Sequence, residues 1–364
     1  MQLGKYYRTL RNLGPAKNLI ELAYFVTPYC NFRCRHCFNW EELKNSEKPH
    51  ELASNEILRF AKSLPKLLRL LLTGGEPFLK KNLDEICYLF CKYCDVKHIS
   101  IPTNASLPVM TANMVKKILR SCPETYLNIS PSLDHIGTKR DEFVQYRNSF
   151  EIFKKVYNEL MELSNDYPNL CINVVTTFNE DNQEDIEDIF RYVTEKLKPH
   201  SYAVNIVRGI MEGGTRQGNL KIDKYEKIVK MVEDYNAKRK AMNFAGANFF
   251  LQVRRAVRDI VIDTFKNDKY YIPCYSGRVR VVMASDGRLF PCETFMFENP
   301  VYCFGNIRDF DYDFKKILGA QYSKKIISSI KNSKCFCHSE CDYLYNILFN
   351  PRLFFKLFRH TYLF

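Results

Sequence analysis

No stretch of the 364-residue chain approaches the ~18 consecutive apolar residues that a membrane helix needs, so no transmembrane segment is expected. The chain also lacks the basic opening, apolar core and small-residue cleavage site of a secretory signal. Acidic residues are few: 41 Asp and Glu stand against 54 Lys and Arg, giving a formal net charge of +13. Such an excess favours anionic partners: nucleic acid, phosphorylated or carboxylated substrates, or anionic lipid. Yet aromatic RNP motifs, helix-turn-helix patterns and zinc-finger spacings are missing. Nucleic acid is therefore possible but not favoured, and Lys-rich helix faces that are simply solvated explain the charge as well. A disulfide framework is not expected either. Fourteen cysteines in a long chain without a secretion signal, clustered at metal-like spacings, fit metal ligation in a reducing cytoplasm. With 46% hydrophobic residues, the chain can bury one large domain and a smaller one.

What is present is a cysteine loop. Cys30, Cys34 and Cys37 lie in TPYCNFRCRHCFNW, Thr27 to Trp40, directly after the apolar run Ile20 to Val26. Three closely spaced thiolates can hold three irons of a [4Fe–4S] cube, leaving one iron open to a substrate or cofactor. A second triplet, Cys87, Cys91 and Cys94, has the same C-x3-C-x2-C spacing. It sits in a segment where Leu83, Ile86, Cys87 and Phe90 recur at helical intervals, so these thiols are expected to pack as small hydrophobes. Spacing does not separate the two triplets; context does. The first has polar Asn31, Arg33 and Arg35 between its thiols and precedes the glycine pair Gly74-Gly75.

Strand patterns appear at Glu21–Val26, Leu67–Leu72, Lys97–Ile101, Thr125–Ser130, Leu170–Thr176 and Tyr202–Val207, with helical patterns between them. The first helix is expected to start with Ser54 as its N-cap and to end before Pro65. Others cover about 82–94, 111–121, 148–164 and 182–196. This alternation argues an α/β fold with a parallel sheet and outer helices: a partial (β/α)6 TIM-like barrel, with chemistry at the carboxyl ends of its strands. A smaller C-terminal α+β domain, containing a hairpin and a cysteine cluster, is expected after it.

The cysteine loop and TGGEP, Thr73 to Pro77, resemble the radical S-adenosylmethionine (SAM) enzymes. His36 fills the aromatic slot of that family's cysteine motif, and Gly74, Gly75, Glu76 and Pro77 match its GGEP element. The resemblance implies a [4Fe–4S] cluster and SAM as cofactors, with a 5′-deoxyadenosyl radical that takes hydrogen from a substrate. It also implies SAM contacts from polar residues after strands three to six: Asn104, Ser132, Asp134, Asn179 and Arg208. Taken singly, each of these residues also suits a turn or a helix cap. Two departures stand out. Ala105 occupies the place of a usual glycine. Val144 stands where relatives with an auxiliary cluster carry an arginine, leaving Arg147 or Arg208 as candidates for the SAM carboxylate.

A second cysteine field follows. Asp286-Gly287 between two apolar strands is a hairpin signal that brings Cys274 near Cys292. Cys335, Cys337 and Cys341 come later, and two from each group make a four-thiolate site, with Cys303 nearby as a further thiol. Zinc bound by cysteines and His338 is the inorganic alternative. The C-x12-G-x4-C spacing of Cys274, Gly287 and Cys292, joined to the late cysteines, resembles the SPASM or twitch extensions of radical SAM enzymes. That implies one auxiliary [4Fe–4S] cluster, for electron relay or substrate ligation.

The expected organisation is a lead-in at 1–19, the barrel at 20–215, a helical connector at 216–271, the cluster domain at 272–345 and a basic aromatic tail at 346–364. The glycine-rich stretch 209–221 reads as a plain exit loop, and the tail as an amphipathic helix packed on the protein itself. The resemblance implies a small-molecule (sugar-like) or peptide substrate and an electron donor such as flavodoxin or ferredoxin. The shortness of the lead-in favours a small molecule or a partner-delivered peptide. Two alternatives stay open: radical chemistry on RNA, or a non-catalytic zinc or nucleic-acid module.

Overall fold

The computed structural model describes residues 19–45, 47, 49–208, 219–239 and 247–362. The lead-in over 1–18 and the exit loop over 209–218 lie outside the described residues. Nine strands form one sheet: β1 Glu21–Thr27, β2 Arg69–Gly74, β3 His98–Thr103, β4 Tyr126–Pro131, β5 Leu170–Phe178, β6 Ser201–Ile206, β7 Arg280–Met283, β8 Arg288–Phe290 and β9 Gly305–Asn306. Their order is β6-β5-β4-β3-β2-β1-β7-β8-β9, with β1 to β6 parallel. The sheet does not close on itself. The helices are α1 Trp40–Lys44, α2 Ser54–Ser63, α3 Leu83–Cys94, α4 Pro108–Ser121, α5 Thr138–Val144, α6 Ser149–Asp166, α7 Ile186–Arg191, α8 Ile222–Arg239, α9 Ala247–Asn267, α10 Glu293–Glu298, α11 Phe314–Gly319, α12 Gln321–Asn332, α13 Glu340–Leu348 and α14 Pro351–Tyr362.

The two faces of the sheet differ because side chains alternate along a strand. On the outer face Leu22, Tyr24, Leu70, Leu72, Ile99, Ile101, Leu127, Ile129, Val174 and Val204 pack against the helices in the main core. On the inner face polar and half-accessible residues recur: Arg69, Asn128, Asn173, Ser201 and Asn205. Asn128 donates to Ser100 Oγ at 3.1 Å, and Ser201 to Asn173 Oδ1 at 2.7 Å. The inner face is thus polar over β3 to β6, while at β1, β2, β7 and β8 Ala23, Phe25, Leu71, Val282 and Phe290 form a second, smaller apolar cluster.

Two features go beyond the six expected units. β7 adds to the barrel sheet, pairing parallel with β1 from Glu21↔Arg280 to Tyr24↔Met283, and β8 turns back antiparallel at Asp286-Gly287. The expected hairpin therefore extends the barrel sheet itself. Helix α13 spans the open side. Arg208, just after β6, donates to Ser339 Oγ at 2.8 Å, and Glu340 accepts from the Ile206 amide at 3.1 Å. Two residues later, Asp342 accepts from Arg280 on β7 at 3.0 Å.

The helix N-cap is corrected by one residue. Ala53 is the N-cap of α2, its amide held by Glu56 Oε2 at 2.9 Å, while the Ser54 hydroxyl bonds Glu85 and Asn82 at the start of α3. The expected helix over 182–196 is shorter, Ile186–Arg191 continued by a π turn Tyr192–Leu197, because Asn179 and Asn182 are spent on a turn. The tail helix α14 packs Leu353 and Leu357 into the main core, and Phe354 meets Phe249 of α9 edge to face. No helix among the described residues is long and apolar enough to cross a membrane.

Candidate active site

The cysteine loop leaves the carboxyl end of β1 and folds over an apolar patch. Phe32, Phe143 and Val144 are buried together, with Cys30 and Cys34 against them. Two backbone bonds fix the loop to the end of α5: Arg33 N to Val144 O at 3.0 Å and Arg35 N to Phe143 O at 3.3 Å. Val144, which stands where an arginine was expected, thus supports the loop through its carbonyl and its side chain. The three thiols are gathered closely enough to feel one another's charge. Cys37 and Cys30 both push the Cys34 thiol up, and Cys37 does the same to Cys30, although burial is the larger cause in each case.

The TGGEP segment packs on the same loop. Gly75 donates to Thr27 O at 2.9 Å and Glu76 to Tyr29 O at 2.8 Å. A Cβ on Gly75 would stand 2.0 Å from Tyr29 O, and one on Gly74, at φ +140°, 2.4 Å from Thr27 O. These glycines therefore let two backbones touch, which a side chain would prevent. Pro77 opens the short turn Pro77–Leu79 that follows. The Glu76 carboxylate is buried and fully engaged: it accepts from Phe78 N at 3.1 Å, Thr103 Oγ1 at 2.8 Å and Asn104 N at 2.7 Å. Burial pushes its pKa up to about 7, against those three hydrogen bonds.

Asn104 extends the brace. Its side chain donates to Asn31 Oδ1 at 2.8 Å and to Cys30 Sγ at 3.8 Å, while Asn31 donates to Ser106 Oγ at 2.9 Å. Arg140 completes it from α5. Its guanidinium is fully buried and donates to Ser132 O at 2.8 Å and Asn104 O at 2.9 Å, over the Phe153 ring. Sequence reasoning missed Arg140, Ser106 and Phe143, and marked Asn31 only as a polar residue between the thiols, without a role.

The other expected residues divide. Asp134 is buried, accepts from Thr177 N at 2.6 Å and faces His36 Nε2 at 3.9 Å; His36 stacks on Phe143. The Nδ1 of His36 is buried with no hydrogen-bond partner among the described residues. Ser132 contributes backbone, receiving Arg140 and donating to Thr103 O at 2.9 Å. Asn179 is consumed by its own turn, accepting from Asp181 N and Asn182 N and donating to Thr177 O. Arg208 stands with the second cysteine field, and Arg147 is exposed. Of the residues expected around SAM, then, His36, Glu76, Asn104 and Asp134 surround the cysteine loop.

The donor set fits an iron–sulfur cube. Three soft sulfurs are presented by one loop, their thiols dehydrated, and a metal is what converts such thiols to thiolates. Among the described residues no three His, Cys, Asp or Glu side chains converge as a single metal ion would require. A cube, which holds its thiolates at separate corners, does not require that convergence.

In the second field, Cys274, Cys292, Cys335 and Cys337 form one electrostatic group. Cys337 and Cys274 both push the Cys292 thiol up, Cys274 does so to Cys335, and Cys274 and Cys335 do so to Cys337. Cys341 differs, since the charges acting on it come from Arg208, Arg280, Glu293 and Arg69. Cys303 packs with Ala23, Phe25 and Phe290, and the His338 ring lies against Phe265. Below the four thiols, Arg280 ties the field to the barrel. Its Nε donates to Glu21 at 2.7 Å, and its terminal nitrogens to Glu293 at 2.9 and 2.5 Å and to Asp342 at 3.0 Å.

Comparison with known proteins agrees with this geometry. The family model described as "Radical SAM superfamily" matches residues 24–193. GTP 3′,8-cyclase of Arabidopsis thaliana mitochondria is 28% identical over 46% of this chain, which covers only 42% of that protein. GTP 3′,8-cyclase of Campylobacter lari is 25% identical over 73% of this chain and 78% of that protein. Among solved structures, Streptococcus suis SuiB bound to precursor peptide SuiA is similar in fold at 19% identity. The match covers 90% of this chain and 70% of that one, with a TM-score of 0.58.

Proposed function

We propose that the chain, whose residues 24–193 match the radical SAM superfamily, a family of enzymes that use a [4Fe–4S] cluster and SAM, takes hydrogen from a small polar molecule or a peptide held in its lumen. When bound, the cluster and SAM supply a 5′-deoxyadenosyl radical; the protein's part is positioning. Cys30, Cys34 and Cys37 would hold three irons. Glu76, Thr103, Asn104 and Arg140 hold the loop that carries those thiols against the ends of β2, β3 and β4. His36 and Asp134 face each other at the rim of that loop, where the family places SAM.

Cys274, Cys292, Cys335 and Cys337 would hold an auxiliary [4Fe–4S] cluster, for electron relay or substrate ligation. Arg280 positions two arms of that site at once. It fixes Glu293, next to Cys292, and Asp342, next to Cys341. The relatives named GTP 3′,8-cyclase and the polar inner face of β3 to β6 favour a small molecule over a peptide. The observation that carries the reading is the single loop after β1 that carries Cys30, Cys34 and Cys37, braced by Glu76 and Asn104. The test is anaerobic incubation of iron-reconstituted protein with SAM and dithionite. Formation of 5′-deoxyadenosine is expected; a protein loaded with cluster that releases none would sink the proposal.

A further inference from the structure

The lysines of α8 show how surface cations are treated elsewhere in this protein: Lys224 pairs with Glu184, Lys227 with Glu187 and Lys230 with Glu226. Helices α11 and α12 depart from that. Between Asp313 and Glu340 the chain carries Lys315, Lys316, Lys324, Lys325, Lys331 and Lys334 and no acidic residue. Of the six, only Lys316 has an ion pair among the described residues, with Asp311 at 3.3 Å. The buried residues of α12 are Ser323, Ile326 and Ile330. The helical repeat therefore sets Lys324, Lys325 and Lys331 on the opposite face, where all three are exposed.

This face runs straight into the second cysteine field. Lys334 takes the left-handed turn that follows the helix, at φ 52°, and Cys335 N donates to Ile330 O at 3.2 Å. Between Cys335 and Cys337 the Phe336 ring is exposed, and neither cysteine is fully buried. Tyr322 is exposed at the other end of α12. The rim of the first cysteine loop is different. There Arg35 pairs with Asp181 and Lys139 with Asp185, and Arg33 donates to the carbonyls of Cys30 and Phe32. Cations beside the first field are offset by neighbours; those beside the second are not.

We propose that the exposed face of α12, with Phe336, is the docking surface for an acidic electron-carrier protein. This rests on the radical SAM reading and on Cys274, Cys292, Cys335 and Cys337 holding a cluster. Unpaired cations steer an anionic protein surface and set its orientation, and an exposed aromatic ring supplies an apolar contact at the centre of such a seat. Because the ring stands between two of the four thiols, a partner seated on it lies against the redox site. A nucleic acid is drawn by the same charge, but its chemistry requires no seat against two cysteines.

The test uses the full reconstituted chain, kept anaerobic, and two acidic carriers as probes, oxidised flavodoxin and oxidised ferredoxin, titrated calorimetrically. Wild type is expected to bind at least one of them saturably, and less tightly as ionic strength rises. The triple variant Lys324→Gln, Lys325→Gln, Lys331→Gln is expected to weaken that binding about tenfold or more. Its side chains lie away from the packed face of α12, so fold, iron content and dithionite-driven SAM cleavage should match wild type. A control triple, Lys116→Gln, Lys155→Gln, Lys196→Gln, removes the same charge from exposed positions on other elements and should bind as wild type does. Failure of wild type to bind either carrier, or equal binding by the α12 variant, overturns the proposal. So does an equal loss in the control, or a poly-glutamate peptide that binds as tightly as the carriers; either reduces the face to net charge. An RNA oligonucleotide that binds wild type more tightly than the carriers, and is lost in the α12 variant, would assign the face to nucleic acid and overturn it too. A protein that binds a carrier through α12 yet never cleaves SAM would support the docking surface and sink the radical reading instead.

Discussion

Two cysteine triplets of identical spacing behave oppositely in this molecule. Cys30, Cys34 and Cys37 lie in a loop at the end of β1, where intervening Asn31 and Arg33 are held by side-chain and backbone bonds. Cys87, Cys91 and Cys94 lie on α3, where Cys87 and Cys94 are fully buried in the main core. Cys94 donates to Ala61 O at 3.2 Å, and Cys91 lies 3.3 Å from Thr125 Oγ1. On a helix, i, i+4 and i+7 form a stripe facing one way, toward a neighbouring helix. In the loop, the same spacing sets Cys30 and Cys34 against the small apolar patch of Phe32, Phe143 and Val144 instead of in the main core. The difference teaches that a metal motif is a property of backbone conformation as much as of residue order.

The largest expected effect breaks the comparison outright. Replacing Cys30, Cys34 and Cys37 by Ala should lower iron content and abolish 5′-deoxyadenosine formation. The same replacement at Cys87, Cys91 and Cys94 should leave iron unchanged. It should cost stability instead, about 1–2 kcal/mol per buried thiol through lost packing. Iron assay and denaturant unfolding of both triple variants decide it; iron lost from the α3 variant in its folded state would mean the wrong triplet was assigned.

Next comes the brace that only the first triplet has. Arg140→Met removes the bonds to Ser132 O and Asn104 O but keeps bulk and apolar contact with Phe153. A loss of about 2–4 kcal/mol is expected, since two buried carbonyls lose their charged donor. Cluster loading should fall with it. If unfolding and iron content both match wild type, the brace carries no weight.

Most strands were legible because an apolar outer face alternates with a more polar inner one, β1 because it is apolar on both faces, and all six boundaries agree within a few residues. The brace was not legible. Arg140 sits on a seven-residue helix with no periodicity to detect, and its acceptors are backbone carbonyls at positions 104 and 132, which a sequence pattern does not mark. Likewise β7 read as one arm of a hairpin, because its pairing with β1 joins residues 259 apart, Glu21 and Arg280. Asn179 failed differently. Its type suited both a ligand and a turn, and the turn took its side-chain oxygen twice and one of its amide hydrogens.

The pH dependence sharpens the contrast between brace and core. Burial holds Glu76 up at about 7, so its contribution to stability is full below the ordinary carboxyl pKa near 4.5 and is lost as pH rises toward 7. His98, on β3, is driven down to about 4 by burial and then by Arg69. Its contribution is present above the unfolded pKa near 6.5 and is lost as pH falls toward 4. Over pH 4.5–6.5 the two slopes oppose each other, each worth at most about 3 kcal/mol. Relative to wild type, Glu76→Gln should therefore gain stability as pH rises from 4.5 to 7, and His98→Gln should gain it as pH falls from 6.5 to 4. Chemical denaturation at several pH values reads both, and parallel profiles would show that neither group is shifted.

The smallest effect lies at Ala105, beside the Asn104 that holds Cys30. This alanine is buried and has φ 55°, in the left-handed region where a Cβ is penalised. Its amide donates to Thr103 Oγ1 at 3.1 Å, and Thr103 also donates to Glu76, so the strained conformation is fixed by the brace itself. The strain in a non-glycine residue there is about 1–2 kcal/mol, and the extra freedom of a glycine in the unfolded chain takes back about 0.5–1. Ala105→Gly should thus stabilise the protein by roughly 0.5–1 kcal/mol, with iron content unchanged. In α3, where the helix carries the second triplet without strain, no single glycine should do anything but destabilise, and Cys91→Gly should cost about 1 kcal/mol or more. A destabilised Ala105→Gly would mean that the left-handed turn is not what holds Asn104 over Cys30.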